Sequence, residues 1–238
     1  MSEPPEEKPR KGMVKPPMGG GDAGRMKSTR VKTAKRRTAS SNSWLARQLN
    51  DPFVQEAKAK GYRARAAFKL TEIDDRIHVL RRGARVVDLG CAPGGWIQVA
   101  LERGVTDIVG IDLLPVEPAS PAQIVEGDFT AEGMNRTLIE MLGGAPDVVL
   151  SDMAPNTIGH RQTDHLRIAA LIEMAVEFAL GSLKPSGAFV AKAFQGGELD
   201  DVLKVPKQHF KSVRHLKPKA SRADSSEVFL VATGFKGR

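Results

Sequence analysis

The chain has a single cysteine, Cys91, which leaves no internal disulfide and no cysteine-rich metal centre. His160, His165, His209 and His215 stand at no metal-ligand spacing, so they read as surface or helix-capping residues and no metal is expected. No stretch approaches the roughly 18 apolar residues of a membrane span, and no charged-then-apolar leader opens the sequence. A cytoplasmic protein with no membrane partner is the expectation. Internal repeats are missing too. So are two common phosphate-binding signatures. The dinucleotide fingerprint Gly-x-Gly-x-x-Gly fails because Ala92 stands at its second glycine position and Pro93 has no N–H for a pyrophosphate. The phosphate loop fails because Trp96 and Ile97, not Lys and Ser/Thr, follow Gly95.

What is present is organised around Arg85–Trp96. Val86 to Leu89 is a short β-rich apolar run that stops at Gly90, as expected of a buried strand. The chain restarts as an apolar helix from Gly94 that Gly104 closes. A strand, a Gly-rich turn and a helix form half of a nucleotide-binding βαβ unit, although glycines in a tight turn also serve backbone angles alone. The next strand, Asp107 to Ile111, ends in Asp112, where an acid holds a ribose diol. A nucleoside without phosphates suits such a turn, and S-adenosyl-L-methionine is one.

The 238 residues, 41% of them apolar, suffice for one sizeable α/β domain. The net charge of +8 is unevenly placed: residues 1–43 hold 11 Lys/Arg against 4 Asp/Glu, and residues 44–238 hold 25 against 24. The first segment, with Lys32, Lys35, Arg36 and Arg37 among Pro, Gly and Ser, is predicted to be a disordered basic arm. Its expected partner is a polyanion, most often nucleic acid, though a solubilising terminus has the same composition. The remainder, 44–238, is predicted to be a single domain.

Trp44 to Lys60 reads as an amphipathic helix broken near Asp51-Pro52, followed by a helix carrying Phe68, Ile73 and Ile77. Further strands are expected at Gln123–Glu126, Pro146–Asp152, Ala188–Phe194, Ser212–Leu216 and Glu227–Thr233. Helices are expected at about Ala131–Leu142, at His165–Leu180 (apolar nearly all round and hence buried) and near Glu198–Phe210. This alternation predicts an α/β fold: a seven-stranded, mostly parallel, Rossmann-like sheet with helices on both faces and an antiparallel last strand. Gly90–Gly94, Asp112, Asp128, Asp152 and Lys192 then fall at or just beyond strand carboxyl ends, where such sheets bind ligands.

With those residues on one rim, the sequence resembles the FtsJ-like family of RNA 2′-O-ribose methyltransferases, over about Trp44 to Phe235. The resemblance rests on Arg65-Ala66-Ala67-Phe68-Lys69-Leu70, Asp88–Trp96, Ser151–Asn156, Phe189–Gly196 and Ser221–Phe229. It is nearest to the bacterial branch that methylates a uridine ribose of 23S ribosomal RNA. Asp224 departs from that branch, which usually has a neutral or basic residue there, and would weaken a phosphate contact. The resemblance implies S-adenosyl-L-methionine contacts from Gly94, Trp96, Asp112, Asp128 and Asp152, and a catalytic tetrad of Lys69, Asp152, Lys192 and Glu227. It makes 44–238 a methyltransferase domain, and it implies a monomer acting on ribosomal RNA or the large ribosomal subunit.

Taken singly, these residues have plainer readings. Asp128 suits an adenine amine and equally a helix cap. Lys192 could snorkel from its strand end, Glu227 could be an edge charge and Lys69 a solvated one. A ribose hydroxyl is a weak acid, so Lys192 either takes its proton, which requires a neutral amine, or orients it by donating a hydrogen bond. Lys58, Lys60, Arg63, Arg65, Lys217, Lys219 and Arg222 flank the Lys69 and Glu227 segments and are expected to grip phosphates on either side of the target nucleotide. Rival functions are a base or protein amino-group methyltransferase, which would normally carry an aromatic residue after Asp152, and a non-catalytic RNA-binding ribosome-assembly factor.

Overall fold

The structure is a computed structural model that describes residues 38–155, 161–196 and 202–237. Two helices lead into it. Thr38 accepts from the Ser41 N–H and caps α1 (Ala39–Leu49). Asp51 accepts from the Phe53 N–H, Pro52 supplies the fixed φ of a first turn, and Gly61 closes α2 (Pro52–Lys60) at φ 75°. The helix break expected at Asp51-Pro52 is therefore a cap. Residues 39–43 of the predicted arm lie in α1, and residues 1–37 of it lie outside the described residues.

The sheet has seven strands in the order β3-β2-β1-β4-β5-β7-β6. They are β1 (Arg85–Leu89), β2 (Asp107–Asp112), β3 (Gln123–Glu126), β4 (Val148–Ser151), β5 (Ala188–Phe194), β6 (Phe210–Leu216) and β7 (Glu227–Phe235). The first five pair in parallel, and β7 inserts antiparallel between β5 and β6. This is the architecture the alternation predicted. Helices α3 (Ala66–Ile77) and α4 (Gly95–Glu102) cover one face; α5 (Met134–Met141), α6 (Arg161–Ser182) and α7 (Lys204–His209) belong to the other.

Side chains alternate across each strand, so each strand feeds two cores. Val86, Ile108, Leu150, Val190, Phe229 and Val231 pack with Leu70, Ile73 and Ile97 of α3 and α4. Val87, Leu89, Val149, Phe189 and Leu230 pack with Leu138, Val176 and Phe178 of α5 and α6. The same count of two decides the site: Asp152, Lys192 and Glu227 continue the alternation of Leu150, Val190 and Phe229 and fall on the α3/α4 side.

Two expectations change. Helix α6 begins at Arg161, earlier than expected, and is not buried all round. Ile172, Ala175, Val176 and Ala179 are buried, but Leu166 is 60% exposed and Leu171 and Met174 face a cavity. The helix expected near Glu198–Phe210 is seen only as α7, since residues 197–201 lie outside the described residues.

The turn from α3 into β1 depends on one buried carboxylate. Asp74, 1% exposed, accepts from the N–H groups of Val79 and Leu80 through Oδ1, at 3.0 and 2.9 Å. Its Oδ2 lies 3.4 Å from Arg103 Nε of the α4 terminus. Asp74→Ala strands two backbone donors and should destabilise the fold by about 1–3 kcal/mol, while Asp74→Asn, which keeps an acceptor, should lose less. Urea unfolding midpoints at constant m-value check both.

Candidate active site

The turn after β1 is built by close approach. At Gly90, φ 77°, an added Cβ would sit 2.5 Å from Met153 Cγ and 3.0 Å from the Met153 backbone, so only glycine lets the chain leaving β4 lie against it. Beyond the turn, a cavity of about 690 Å³ opens at the carboxyl ends of β1, β2, β3 and β4. Asp112, Asp128, Asp152, Leu114, Phe129 and Met153 are among its walls. A larger recess of about 1040 Å³ lies between α5, α6 and α7, lined by Ile139, Val176, Leu180 and Phe235, and holds none of the predicted site residues.

Asp112 is held rigidly. Its Oδ2 accepts from the Ala92 N–H at 2.8 Å and its Oδ1 from the Leu114 N–H at 2.9 Å. Each oxygen retains a lone pair for a ligand. Asp128 is not the helix cap of its plainer reading, since Gly133 is the N-cap of α5; instead its Oδ1 closes a local turn, accepting from the Thr130 N–H at 2.9 Å and the Thr130 hydroxyl at 2.7 Å. Those two bonds hold its carboxyl below the usual range. Oδ2 has no protein donor among the described residues, which leaves it open to a ligand.

Gly94 and Trp96 do not line the cavity. Gly94, φ 104°, is the N-cap of α4, and a Cβ there would strike Arg63 Nη1 at 2.5 Å. The Trp96 indole is 3% exposed, donates to the Ala66 carbonyl at 2.9 Å and packs on Phe229 with centroids 5.8 Å apart. Its side chain belongs to the core, which leaves only its backbone for a ligand. Cys91 is a buried turn residue, its thiol pushed well up by burial and by Asp88 and Asp112.

The predicted tetrad comes together as two ion pairs. Lys192 Nζ donates to Asp152 Oδ1 at 2.9 Å and to the Asp152 carbonyl at 2.6 Å. Lys69 Nζ donates to Glu227 Oε2 at 2.7 Å. Strand register links the pairs: Ser151 pairs with Ala191, Lys192 with Phe229 and Phe194 with Glu227. Phe229, opposite Lys192, also lies under Lys69, 5.6 Å from Nζ to the ring centroid. Of the four, only Asp152 lines the cavity; the others extend the site outward from its edge.

Three participants were not legible. Ser221 donates to Glu227 Oε1 at 2.7 Å. Phe229 is a platform rather than one more strand residue. Asp88, fully buried, finds no hydrogen-bond partner for either oxygen among the described residues. Burial, reinforced by Asp152 and Asp112, pushes its carboxyl well up. An Asp inside the apolar run Val86–Leu89 was visible in the sequence; its lack of partners was not.

The basic clusters expected to grip RNA are mostly structural. Arg63 donates to the Glu117 and Pro118 carbonyls at 2.7 and 2.9 Å. Arg65 pairs with buried Asp51 at 2.7 Å and donates to the Ala220 carbonyl, while Arg222 approaches Asp51 at 3.6 Å. Lys217 donates to the Ser225 carbonyl at 2.8 Å, and Lys60 pairs with Glu56 at 2.9 Å. Lys58 and Lys219 keep exposed ammonium groups with no side-chain partner among the described residues.

Glu227 gives the site a pH signature. Burial pushes its carboxyl up, but the charge and hydrogen bond of Lys69, the Ser221 hydroxyl and the Lys192 charge together leave it below the ordinary value. A depressed folded-state pKa stabilises above the unfolded value of about 4.3 and loses that stabilisation as pH falls. Wild type should therefore lose stability as pH falls below about 4.3, and Lys69→Met, stripped of the largest opposing charge, should lose less. Urea midpoints from pH 3 to 7 measure the difference.

Residues 62–235 match the FtsJ-like methyltransferase family. A curated relative from Caulobacter vibrioides, named ribosomal RNA large subunit methyltransferase E, is 65% identical over 226 residues, 95% of this chain and 100% of its own. Its namesake from Granulibacter bethesdensis is 53% identical over 225 residues, 94% and 96% of the two chains. Among solved structures, a ribosomal RNA methyltransferase from Plasmodium falciparum superposes with a TM-score of 0.66 at 31% identity, covering 74% of this chain and all of that one. With its parallel sheet, its inserted antiparallel strand and its five sequence motifs on one rim, the chain belongs to the FtsJ-like methyltransferase family.

Proposed function

We propose that this protein transfers a methyl group from S-adenosyl-L-methionine to a ribose 2′-hydroxyl of ribosomal RNA, a uridine of the large-subunit 23S RNA. The observation that carries the reading is the pairing of Lys192 with Asp152 and of Lys69 with Glu227 beside a cavity bounded by Asp112. The relatives named for large-subunit ribosomal RNA support the choice of RNA. Among the described residues no helix is long and apolar enough to cross a membrane, and the reading takes the protein as a cytoplasmic monomer.

The cavity suits this cofactor. About 690 Å³ is ample for a nucleoside with an amino-acid arm, and among the described lining residues Arg167 is the only Lys or Arg. Asp112, fixed by two N–H groups, would take the ribose diol, and the free oxygen of Asp128 the adenine amine. Leu114, Phe129 and Met153 supply apolar walls. Asp152 stands between cavity and tetrad and would favour a cation. Gly94, buried beside Arg63, and Trp96 would contribute only through their backbones. When bound, S-adenosyl-L-methionine supplies an electrophilic methyl on a sulfonium.

The tetrad would act on the other reactant. Asp152 engages two of the three donor directions of Lys192 Nζ and aims the third at an incoming hydroxyl. In its neutral form Nζ accepts the 2′-hydroxyl proton as the oxygen–methyl bond forms and the carbon–sulfur bond breaks. Lys69, anchored by Glu227 and Phe229, would steady the attacking oxygen by donating to it. An amino-group reaction is disfavoured because Met153-Ala154-Pro155, with no aromatic ring, follows Asp152.

Lys192→Ala should slow single-turnover methyl transfer about 10²–10⁴-fold with cofactor binding retained. The assay uses labelled cofactor and large-subunit RNA and counts alkali-resistant dinucleotides, which only a blocked 2′-hydroxyl yields. Transfer within a few-fold of wild type would remove Lys192 from the chemistry. Asp112→Ala should weaken cofactor binding by about 1–3 kcal/mol by calorimetry, since it removes an acceptor held in place by two backbone N–H groups. Unchanged affinity in a folded variant would place the ribose elsewhere.

A further inference from the structure

The end of the sheet opposite the proposed site carries a second concentration of positive charge that no step above uses. A polar recess of about 320 Å³ lies where α3 ends and β4 and β5 begin. Arg76, His78, Arg81 and Arg214 line it, together with Ser186 and Thr233. All three arginines are exposed, and none has a carboxylate within 4.0 Å among the described residues. The one acid in the lining, Asp147, is already committed. Its Oδ2 accepts from Lys184 Nζ at 3.0 Å and from the Arg85 N–H at 2.9 Å. Burial pushes that carboxyl up, but these donors and the charges of Lys184 and Arg81 leave it below the ordinary value, so it remains an anion saturated by its own cations.

The contrast with the flanks of the tetrad is what gives the recess meaning. There Arg63, Arg65 and Arg222 bind their own fold; here three arginines converge with only a weak internal bond, Arg214 Nη2 to Ser212 Oγ at 3.3 Å. Arg76 stands in the last turn of α3, Arg81 in the loop before β1 and Arg214 within β6, so three separate segments present them to one recess. Planar guanidinium groups grouped this way match phosphate oxygens, and Ser186 and Thr233 add neutral donors. The recess lies about 16 Å from the tetrad, taking Asp147 to Asp152 as five residues at about 3.3 Å each.

We infer that Arg76, Arg81 and Arg214 form a second RNA-phosphate site, which holds a segment of the RNA substrate distant from the nucleotide being methylated. This rests on the reading of the substrate as a large folded RNA. A short RNA occupies the rim alone; a structured one wraps the end of the sheet and touches both. Affinity for structured RNA is then set partly by residues that never approach the reacting atoms.

The test compares full-length wild type with R76Q/R81Q/R214Q, binding either a structured large-subunit RNA fragment or a short single-stranded oligonucleotide. The triple variant should bind the structured RNA at least tenfold more weakly at low salt. Its slope of log Kd against log salt should fall by about 2–3, near 0.9 for each phosphate no longer neutralised. Oligonucleotide and cofactor affinities should stay at wild-type values. K58Q/K219Q, at the rim, should weaken both RNAs. Unchanged affinity and slope for structured RNA, in a triple variant whose circular dichroism and Tm match wild type, would overturn the site. So would equal losses on both RNAs, or a variant that differs only in its response to inorganic phosphate. Binding is read without turnover, so wild type that binds both RNAs but methylates neither would sink the proposed reaction and leave the binding result standing.

Discussion

The in-register parallel pairing of β4 with β5 is the constraint on which the site depends. With Ser151 opposite Ala191, the next residues along, Asp152 and Lys192, leave the sheet side by side and on one face. The antiparallel insertion of β7 then brings an amino-terminal residue, Glu227, to the rim that the other strands reach with their carboxyl ends. A one-residue slip in either pairing would turn a charged group into the opposite core, at a cost far above any single hydrogen bond. The same packing that buries Val190 and Phe229 thus positions the polar groups, and no separate device is needed to hold them.

Burial at this rim is tolerated because every charge has a partner, with one exception. Lys69 and Glu227 are each 12% exposed in their side chains and face one another at 2.7 Å. Lys192 is similarly enclosed and held by Asp152. Breaking such a pair is far costlier than the pair is stabilising, which makes them poor sources of stability and good sources of geometry. Asp88, without a hydrogen-bond partner among the described residues, has its carboxyl pushed well up by burial, which favours its neutral form.

Charge elsewhere divides into braces and free groups. Asp51 gathers Arg65 and Arg222 and thereby ties α2, α3 and the segment before β7 together; Glu72 adds bonds to the Lys219 and Ala220 N–H groups. These contacts seat Ala220 against Ala57 and Phe68 in a small satellite core. Composition counts every arginine alike, but a guanidinium bonded to carbonyls and a buried carboxylate has few donors left for RNA. The exposed arginines at the opposite end of the sheet have theirs free.

Local pattern carried much of this protein. Short β-rich runs alternating with helices determined the sheet, since a strand buried on both faces must be continuously apolar, and the acids that end Asp107–Asp112 and Val148–Asp152 had to fall at strand ends. The sequence motifs nominated Lys69, Asp152, Lys192 and Glu227 as a group. Which of them pair was decided by tertiary structure alone, because Lys69 and Glu227 are 158 residues apart in the chain and meet only through sheet register. The same holds for the Trp96 indole, turned to Phe229 rather than to the cavity, for Ser221 on Glu227 and for the isolation of Asp88. It holds too for the basic clusters, whose partners are brought from distant segments. Composition and periodicity are local and determine what a segment forms; hydrogen-bond partners, burial and charge pairing are set by contacts between segments, and those exist only once the chain has folded.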